Sequence, residues 1–432
     1  MENGRMIYPG VFEKMLLGIL FSLLSIQAHA QTENIQNFDH VLRLAFQQNL
    51  NLLSQNENTK SKQATEGAAF RQLLPNLSVS SSHNDSSEDD SYYSANVNLS
   101  QPIYRPTLWD SWKKTGLSNK RADQAMQRLR QALLFELKSG WYELLTAQTL
   151  AVESQNSLDR LKEHLRIAKH FYANGLIWKN DVLQAKVRVS RGEQTLLASQ
   201  NRVTTAIRQL NVLMHRKITA PIKANGKLEY SPIDWQVSNL LSYAEQHRIE
   251  LKQSQLDIKI AGHDVNIASA GMKPTVDLNL QRSFESTNAN FSSSDPETLM
   301  SVSLKWNFWQ WGKSTKEVSA SKYNRRKLYY DYEQQKIEIE AEVHSVWLNL
   351  LEAEKNIHVL QQALDQSQEN FRVSQLRYKE QLGSSSDVLD AQDLLTLTRI
   401  DYVSALNQFL KSQVQLDFVV GVPVNELGQL SR

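Results

Sequence analysis

The sequence predicts a mainly α-helical chain with a small β part, arranged as a duplicated helix, strand, strand, long helix, helix unit. Three observations carry that prediction: phrases that recur about 200 residues apart, two proline-free stretches of nearly seventy residues, and four short segments of apolar–polar alternation.

The repeat comes first because it organises the rest. At a shift of 199, Leu42, Ala45, Leu52 and Pro75 fall on Leu241, Ala244, Leu251 and Pro274. Leu99 falls on Leu304 at 205, and Trp141, Leu144, Leu145, Tyr172, Asp181, Val182 and Leu183 fall on Trp347, Leu350, Leu351, Tyr378, Asp387, Val388 and Leu389 at 206. The shift changes by six between Pro75 and Leu99, as a loop of variable length would require, and by one more before Trp141. The first repeat is placed at 31–216 and the second at 236–421, with a 422–432 tail. The connector at 217–235 carries the prolines and glycine that break helices.

Ahead of the first repeat, Lys14, the apolar run from Met15 to Ile26 and Ala28-His29-Ala30 have the parts of a secretory signal peptide, expected at 1–30. The chain is therefore expected to be exported, yet it holds no cysteine, so neither disulfides nor lipid on an amino-terminal cysteine can support it. After residue 30 no apolar run reaches 18 residues, which excludes a helical membrane span and leaves a β-barrel open. A hydrophobic content of 41% and a net charge of +2 give no general pull toward nucleic acid.

Strands are expected at about 76–83, 92–103, 275–284 and 299–309. Tyr93, Ala95, Val97 and Leu99 alternate with Ser94, Asn96, Asn98 and Ser100, and Val276, Leu278 and Leu280 with Asp277, Asn279 and Gln281. Met300, Val302, Leu304, Trp306 and Phe308 alternate with Ser301, Ser303, Lys305 and Asn307, while Leu77 and Val79 mark a weaker version. Alternation alone fits a half-buried sheet on a soluble core equally well. Export without a helical span favours a membrane sheet, with Tyr104, Trp109, Trp306, Phe308, Trp309 and Trp311 as interface aromatics and polar loops at Ser81–Ser91 and Glu285–Glu297 outside. Four strands cannot close a barrel, so several chains must share one.

The helical segments from Thr107 to about Ala173, with only Gly116 and Gly140 as glycines, and from Gly312 to about Gln381 predict rods on the order of 100 Å. Apolar residues such as Leu183, Val187, Leu197, Val203, Ile207 and Leu210 recur at helical spacing. A rod so thin has no interior, so it must pack laterally on other rods.

The duplicated plan, the entry "LLPNLSVS" and the turns "YANGLIWKNDVLQAKV" and "YKEQLGSSSDVLDAQ" together resemble the TolC-like outer-membrane efflux protein family over essentially the whole mature chain. The resemblance implies a homotrimer, a twelve-stranded outer-membrane barrel and a hollow periplasmic α-barrel, with the connector in an equatorial belt. It implies an exit duct of a tripartite efflux pump or type I secretion system, carrying drugs, metal ions or proteins. The implied partners are a periplasmic adaptor and an inner-membrane RND, ABC or MFS transporter.

At the tips, Asp181 and Asp387 read on their own as N-terminal helix acids. The resemblance implies that Asp387 and Asp390 face the pore as rings of carboxylates at a constriction, and that Asp181 and Tyr378 form a closing link. The family's gating arginine falls on Gly383, which implies fewer closing contacts or a different partner. Adaptor docking is implied around Gly175, Leu176, Gln381 and Leu382. Gly175 suits a turn with positive φ, whereas its counterpart Gln381 does not. Catalysis finds no support: His164 and His170 share no helix face, no zinc motif or phosphate-binding loop occurs, and neither cofactor nor metal is expected. From the residues alone a periplasmic coiled-coil adaptor or scaffold remains the alternative.

Overall fold

The computed structural model describes residues 37–85, 92–233, 235–287 and 295–422. The expected signal peptide, the tail from 423 and the middles of the two polar loops lie outside the described residues. The elements run α1 (Phe38–Gln48), α2 (Leu50–Arg71), β1 (Asn76–Asn84), β2 (Tyr92–Tyr104), α3 (Pro106–Ala173) and α4 (Lys179–Leu213). The second repeat follows as α5 (Val237–His247), α6 (Ile249–Ala270), β3 (Thr275–Ser286), β4 (Glu297–Lys305), α7 (Lys313–Lys379) and α8 (Ser385–Val420).

The strands form one antiparallel sheet in the order β1-β2-β3-β4. Its register aligns Leu77, Leu99, Leu280 and Met300 in one row across the sheet, and Asn76, Ser100, Asn279 and Ser301 in the row beside it on the other face. The apolar face is bare: Leu77, Val79, Met300, Val302 and Leu304 are each 66–73% exposed. A sheet resting on a soluble core would have covered them. β4 stops at Lys305, paired with Thr275, four residues short of the expected end. Pro274 precedes that last pair and has no N–H with which to continue the ladder. Trp306 instead turns away and donates from Nε1 to the Met272 carbonyl at 3.0 Å.

Beneath the sheet, α3 of 68 residues and α7 of 67 form two rods, each roughly 100 Å long. Each is flanked by two shorter helices in succession, α3 by α2 and then α4, α7 by α6 and then α8. Coiled-coil spacing explains the pairing. Ala147, Leu150, Ser154, Ser157, Leu161, His164 and Ala168 are buried on α3 at alternating steps of three and four, as are Val343, Val346, Leu350, Ala353 and Ile357 on α7. Leu144 and Leu350, equivalent in the repeat, are both fully buried. Each contributes about 1.5–3 kcal/mol by leaving water.

The short helices meet end to end, and a side chain closes each joint. Asn49 breaks α1 from α2, accepts hydrogen bonds from the Asn51 and Leu52 N–H groups, and donates from Nδ2 to the Leu213 carbonyl of α4 at 2.9 Å. Its counterpart Arg248 donates to the Val419 carbonyl of α8 and pairs with Glu342 at 2.9 Å. Both therefore satisfy a carbonyl that a helix end leaves without an intrahelical partner. Asn49→Ala is expected to cost about 1–2 kcal/mol, since cap and tie are lost together; a chemical melt indistinguishable from wild type would refute the tie.

Candidate functional site

The two hairpin tips are the sites where the repeat brings chemistry together. Each long helix ends in the same turn. In the first, Leu176 N–H bonds the Phe171 carbonyl at 2.9 Å and Gly175 N–H the Tyr172 carbonyl at 3.0 Å; in the second, Leu382 N–H bonds Arg377 at 2.7 Å and Gln381 N–H bonds Tyr378 at 3.1 Å. This double pattern is a Schellman cap, which needs a left-handed residue after the last helical turn. Gly175 supplies it at φ 72°, and Gln381 adopts it at φ 58° despite its Cβ. The second tip keeps the turn without the glycine, and Gln381 carries the strain.

The helices that leave the tips start differently. α4 begins after Trp178 without a side-chain cap, whereas Ser384 and Asp387 close a capping box on α8. Asp387 Oδ2 accepts from the Ser384 N–H at 3.0 Å and the Asp387 N–H donates to Ser384 Oγ at 3.1 Å. These bonds, with the Arg377 charge assisting, hold the Asp387 carboxyl below its usual range. Asp387 is thus a helix cap, and its exposed carboxylate also belongs to a stripe on α8 with Asp390, Leu394, Leu397 and Asp401. Asp390 faces Arg188 of α4 at 3.6 Å, and the same guanidinium bonds Asp393.

Tyr378 and Asp181 reach the same tip, but no direct bond joins them within the chain. Tyr378 is 3% exposed, and its ring packs on His164 at 5.0 Å and Phe171 at 5.4 Å. Burial pushes its hydroxyl up, opposed by the Ser385 side chain and reinforced by the Asp181 charge. At Gly383 an added Cβ would lie 3.3 Å from Arg377 Cβ, and Arg377 itself reaches the Leu382 carbonyl at 3.4 Å. A guanidinium therefore sits at this tip from a neighbouring position. Leu176 and Leu382 are 51% and 71% exposed on the outer turn.

Several participants escaped the sequence reading. His164 is buried and its Nε2 lies 2.9 Å from Ser385 Oγ, tying the first hairpin to the start of α8. It heads a polar seam between α3 and α8 that continues through Arg160–Gln392 at 3.0 Å, Ser157–Thr396 at 3.1 Å, Glu153–Arg399 at 2.6 Å and Glu143–Lys411 at 2.8 Å. The heptad series on α3 marks His164 as a seam position, and Asp393 continues the three-residue step from Asp387 and Asp390. At the other end of the rods, Tyr104, Trp109, Trp306, Phe308, Trp309 and Trp311 all stand 45% or more exposed at the junction of sheet and helices.

A family model described as outer membrane efflux protein matches residues 41–214 and 240–422, one stretch per repeat. The outer membrane protein TolC of Escherichia coli (strain K12) is 22% identical over 94% of this chain and 86% of its own length. Among solved structures, the outer membrane protein VceC of Vibrio cholerae aligns with a TM-score of 0.77 at 17% identity, over 89% of this chain and 96% of that one. The open state of the MtrE outer membrane channel of Neisseria gonorrhoeae aligns with a TM-score of 0.76 at 16% identity, over 89% and 88%.

Two expectations follow at the tips. Gly175→Ala should cost about 1 kcal/mol through backbone strain alone, because nothing lies within 4 Å of the new Cβ, while Gln381→Gly should relieve strain at the second tip. Amide exchange at each turn reads the sign; equal signs would refute it. Burial pushes the His164 imidazolium down, with Asp181 opposing. The unfolded chain then takes up the proton first, so the His164 contribution is complete above about pH 6.5 and falls as pH drops from there toward the lower folded value. Tip exchange should accelerate in that window in wild type and stay flat in His164→Gln.

Proposed function

This chain belongs to the outer membrane efflux protein family, whose members are outer-membrane channels rather than enzymes, and from that premise we propose that it works as the trimeric exit duct of a tripartite efflux pump or type I secretion system. The observation that carries the reading is the sheet: four strands with β1 and β4 as edges and one apolar face exposed. Backbone groups at a sheet edge cannot face lipid, so the edges must pair between copies. Three copies give twelve strands, within the range of closed barrels. The exposed junction aromatics then lie at the membrane interface, and the rods continue the lumen into the periplasm.

An unpartnered stripe on α7 supports lateral assembly, since Tyr323, Tyr330, Ile337, Leu348 and Val359 are all 62% or more exposed. Their spacing of seven and then eleven residues keeps them on one face of the helix. At the tips, threefold symmetry turns Asp387 and Asp390 into rings of carboxylates around one aperture, which attract cations. Asp181, Tyr378, Arg377 and the His164–Ser385 contact form the closing region, and the turns at Gly175–Leu176 and Gln381–Leu382 present the surface on which an adaptor docks. Energy and cargo choice come from the adaptor and the inner-membrane transporter.

Planar-bilayer recording of the purified protein is expected to give a cation-selective conductance. Asp387→Ala combined with Asp390→Ala should weaken block by multivalent cations about tenfold or more. No conductance after verified reconstitution, together with a soluble protein that forms no heat-modifiable trimer, would favour a periplasmic scaffold instead.

A further inference from the structure

The two tip acids differ in what already neutralises them. Asp387 is held by its own turn: the Ser384 N–H bonds its carboxylate at 3.0 Å and the start of α8 adds the positive end of the helix dipole. Among the described residues it has no ion-pair partner. One turn later the surroundings change. Arg188, on α4 of the other repeat, places Nη2 3.6 Å from Asp390 Oδ1 and donates from Nη1 to Asp393 Oδ2. The guanidinium side chain is 29% exposed, while Asp390 is 71% and Asp393 46% exposed, so the cation lies beneath two acids that face outward. Arg191, one turn along α4, adds its charge to the field at Asp393.

The arrangement occurs once per chain. At the repeat shift, Arg188 corresponds to Leu394, Asp390 to Gln184 and Asp393 to Val187. It also joins α4 and α8, two helices that share few contacts. The bridge spans hairpins, and Arg188 together with Arg191 sets two positive charges against the two carboxylates, which leaves little net charge for a third party.

We propose that Arg188 sets the strength of cation binding at the tip, by holding Asp390 and Asp393 as an intrachain ion pair and leaving Asp387 as the acid that meets a cation in the aperture. This rests on the reading of Asp387 and Asp390 as pore-facing carboxylates. Arg188 is a positioning and charge-setting residue: it acts through Asp390 and touches no substrate. The ligand class is a hard, multivalent cation, for which carboxylate oxygens are the natural partners. In the assembled ring the Asp387 level carries no ion pair, whereas the Asp390 level is largely compensated. Removal of the guanidinium should make the two levels equivalent.

The test is a mutant cycle read as Mg²⁺ block of single channels in planar bilayers, on variants first shown to run as folded trimers. In wild type, Asp387→Asn should weaken block about tenfold and Asp390→Asn less than about threefold. Arg188→Gln should tighten block about tenfold, and in that background Asp390→Asn should weaken it about tenfold. Arg188→Lys keeps the charge and should stay within about threefold of wild type. An Asp390→Asn effect equal in the Arg188 and Arg188→Gln backgrounds overturns the inference. Block unchanged in the Asp387→Asn, Asp390→Asn double variant overturns the carboxylate rings instead, so the two failures are distinguishable.

A second measurement holds even if Arg188→Gln fails to assemble. The chain has no cysteine, so Asp390→Cys gives a single thiol beside an intact Arg188. Its pKa, from alkylation rate against pH, should lie at least about half a unit below the ordinary value of about 8.5. An ordinary or raised value overturns the placement of Arg188 as the counter-ion of this position.

Discussion

A helix roughly 100 Å long and one residue-layer thick has a surface but no interior, and the rest of this structure answers that constraint. Burial comes only from neighbours, so α3 and α7 must each be flanked along their whole length. The chain does this with two short helices per rod, abutted head to tail. An abutment buries polar helix ends unless something bonds them, which explains why Asn49 and Arg248 are among the few buried polar or charged residues near the joints. The two joints use different chemistry, an amide in one repeat and a guanidinium in the other, for one geometric need.

Lateral packing then divides into two kinds. Within each hairpin the contact is mainly apolar and interlocked at coiled-coil spacing, so sliding by a residue would open voids along many layers. Between hairpins, α3 meets α8 through the seam from His164–Ser385 to Glu143–Lys411. Polar partners of that kind can be exchanged for water one at a time. Relative motion of whole hairpins therefore disturbs the molecule least along the seam, and it leaves each hairpin intact as a rigid body. The sheet obeys a different solvent: its outer face is bare because lipid, not another part of the chain, is the medium it suits.

The features legible in the sequence were those with a period. The duplication, the alternating strands and the long proline-free rods each repeat a local rule many times, so the pattern outweighs any single exception. The end of β4 was missed because Trp306 and Phe308 continue the alternation after the partner strand has run out at Thr275, and pairing is not a property of one segment. At the tips, Asp387 and Asp390 were visible as a local pair. Arg188 was not, because it meets them across 205 residues of chain, counted to Asp393, and nothing in its own surroundings distinguishes it from any arginine on a helix. Tyr378 was legible as a partner for Asp181, but the packing of the His164 and Phe171 rings against it was not, because which side of a helix end is covered depends on how the hairpins lean.

The left-handed residues have a consequence of their own. Four helix ends close with positive φ: Gly175 at the tip and His215 at the base of the first hairpin, Gln381 at the tip and Gly421 at the base of the second. The relaxed residue and the strained one are exchanged diagonally between the copies. The fold therefore imposes the turn whatever residue stands there, and the two hairpins are loaded like springs of opposite polarity. The first carries its tension at the base, where His215 sits, and the second carries it at the tip, where Gln381 sits. Of the two, the second hairpin has the tip whose unwinding gives back backbone strain as well as breaking bonds, so fraying should begin there rather than at the relaxed glycine turn of the first.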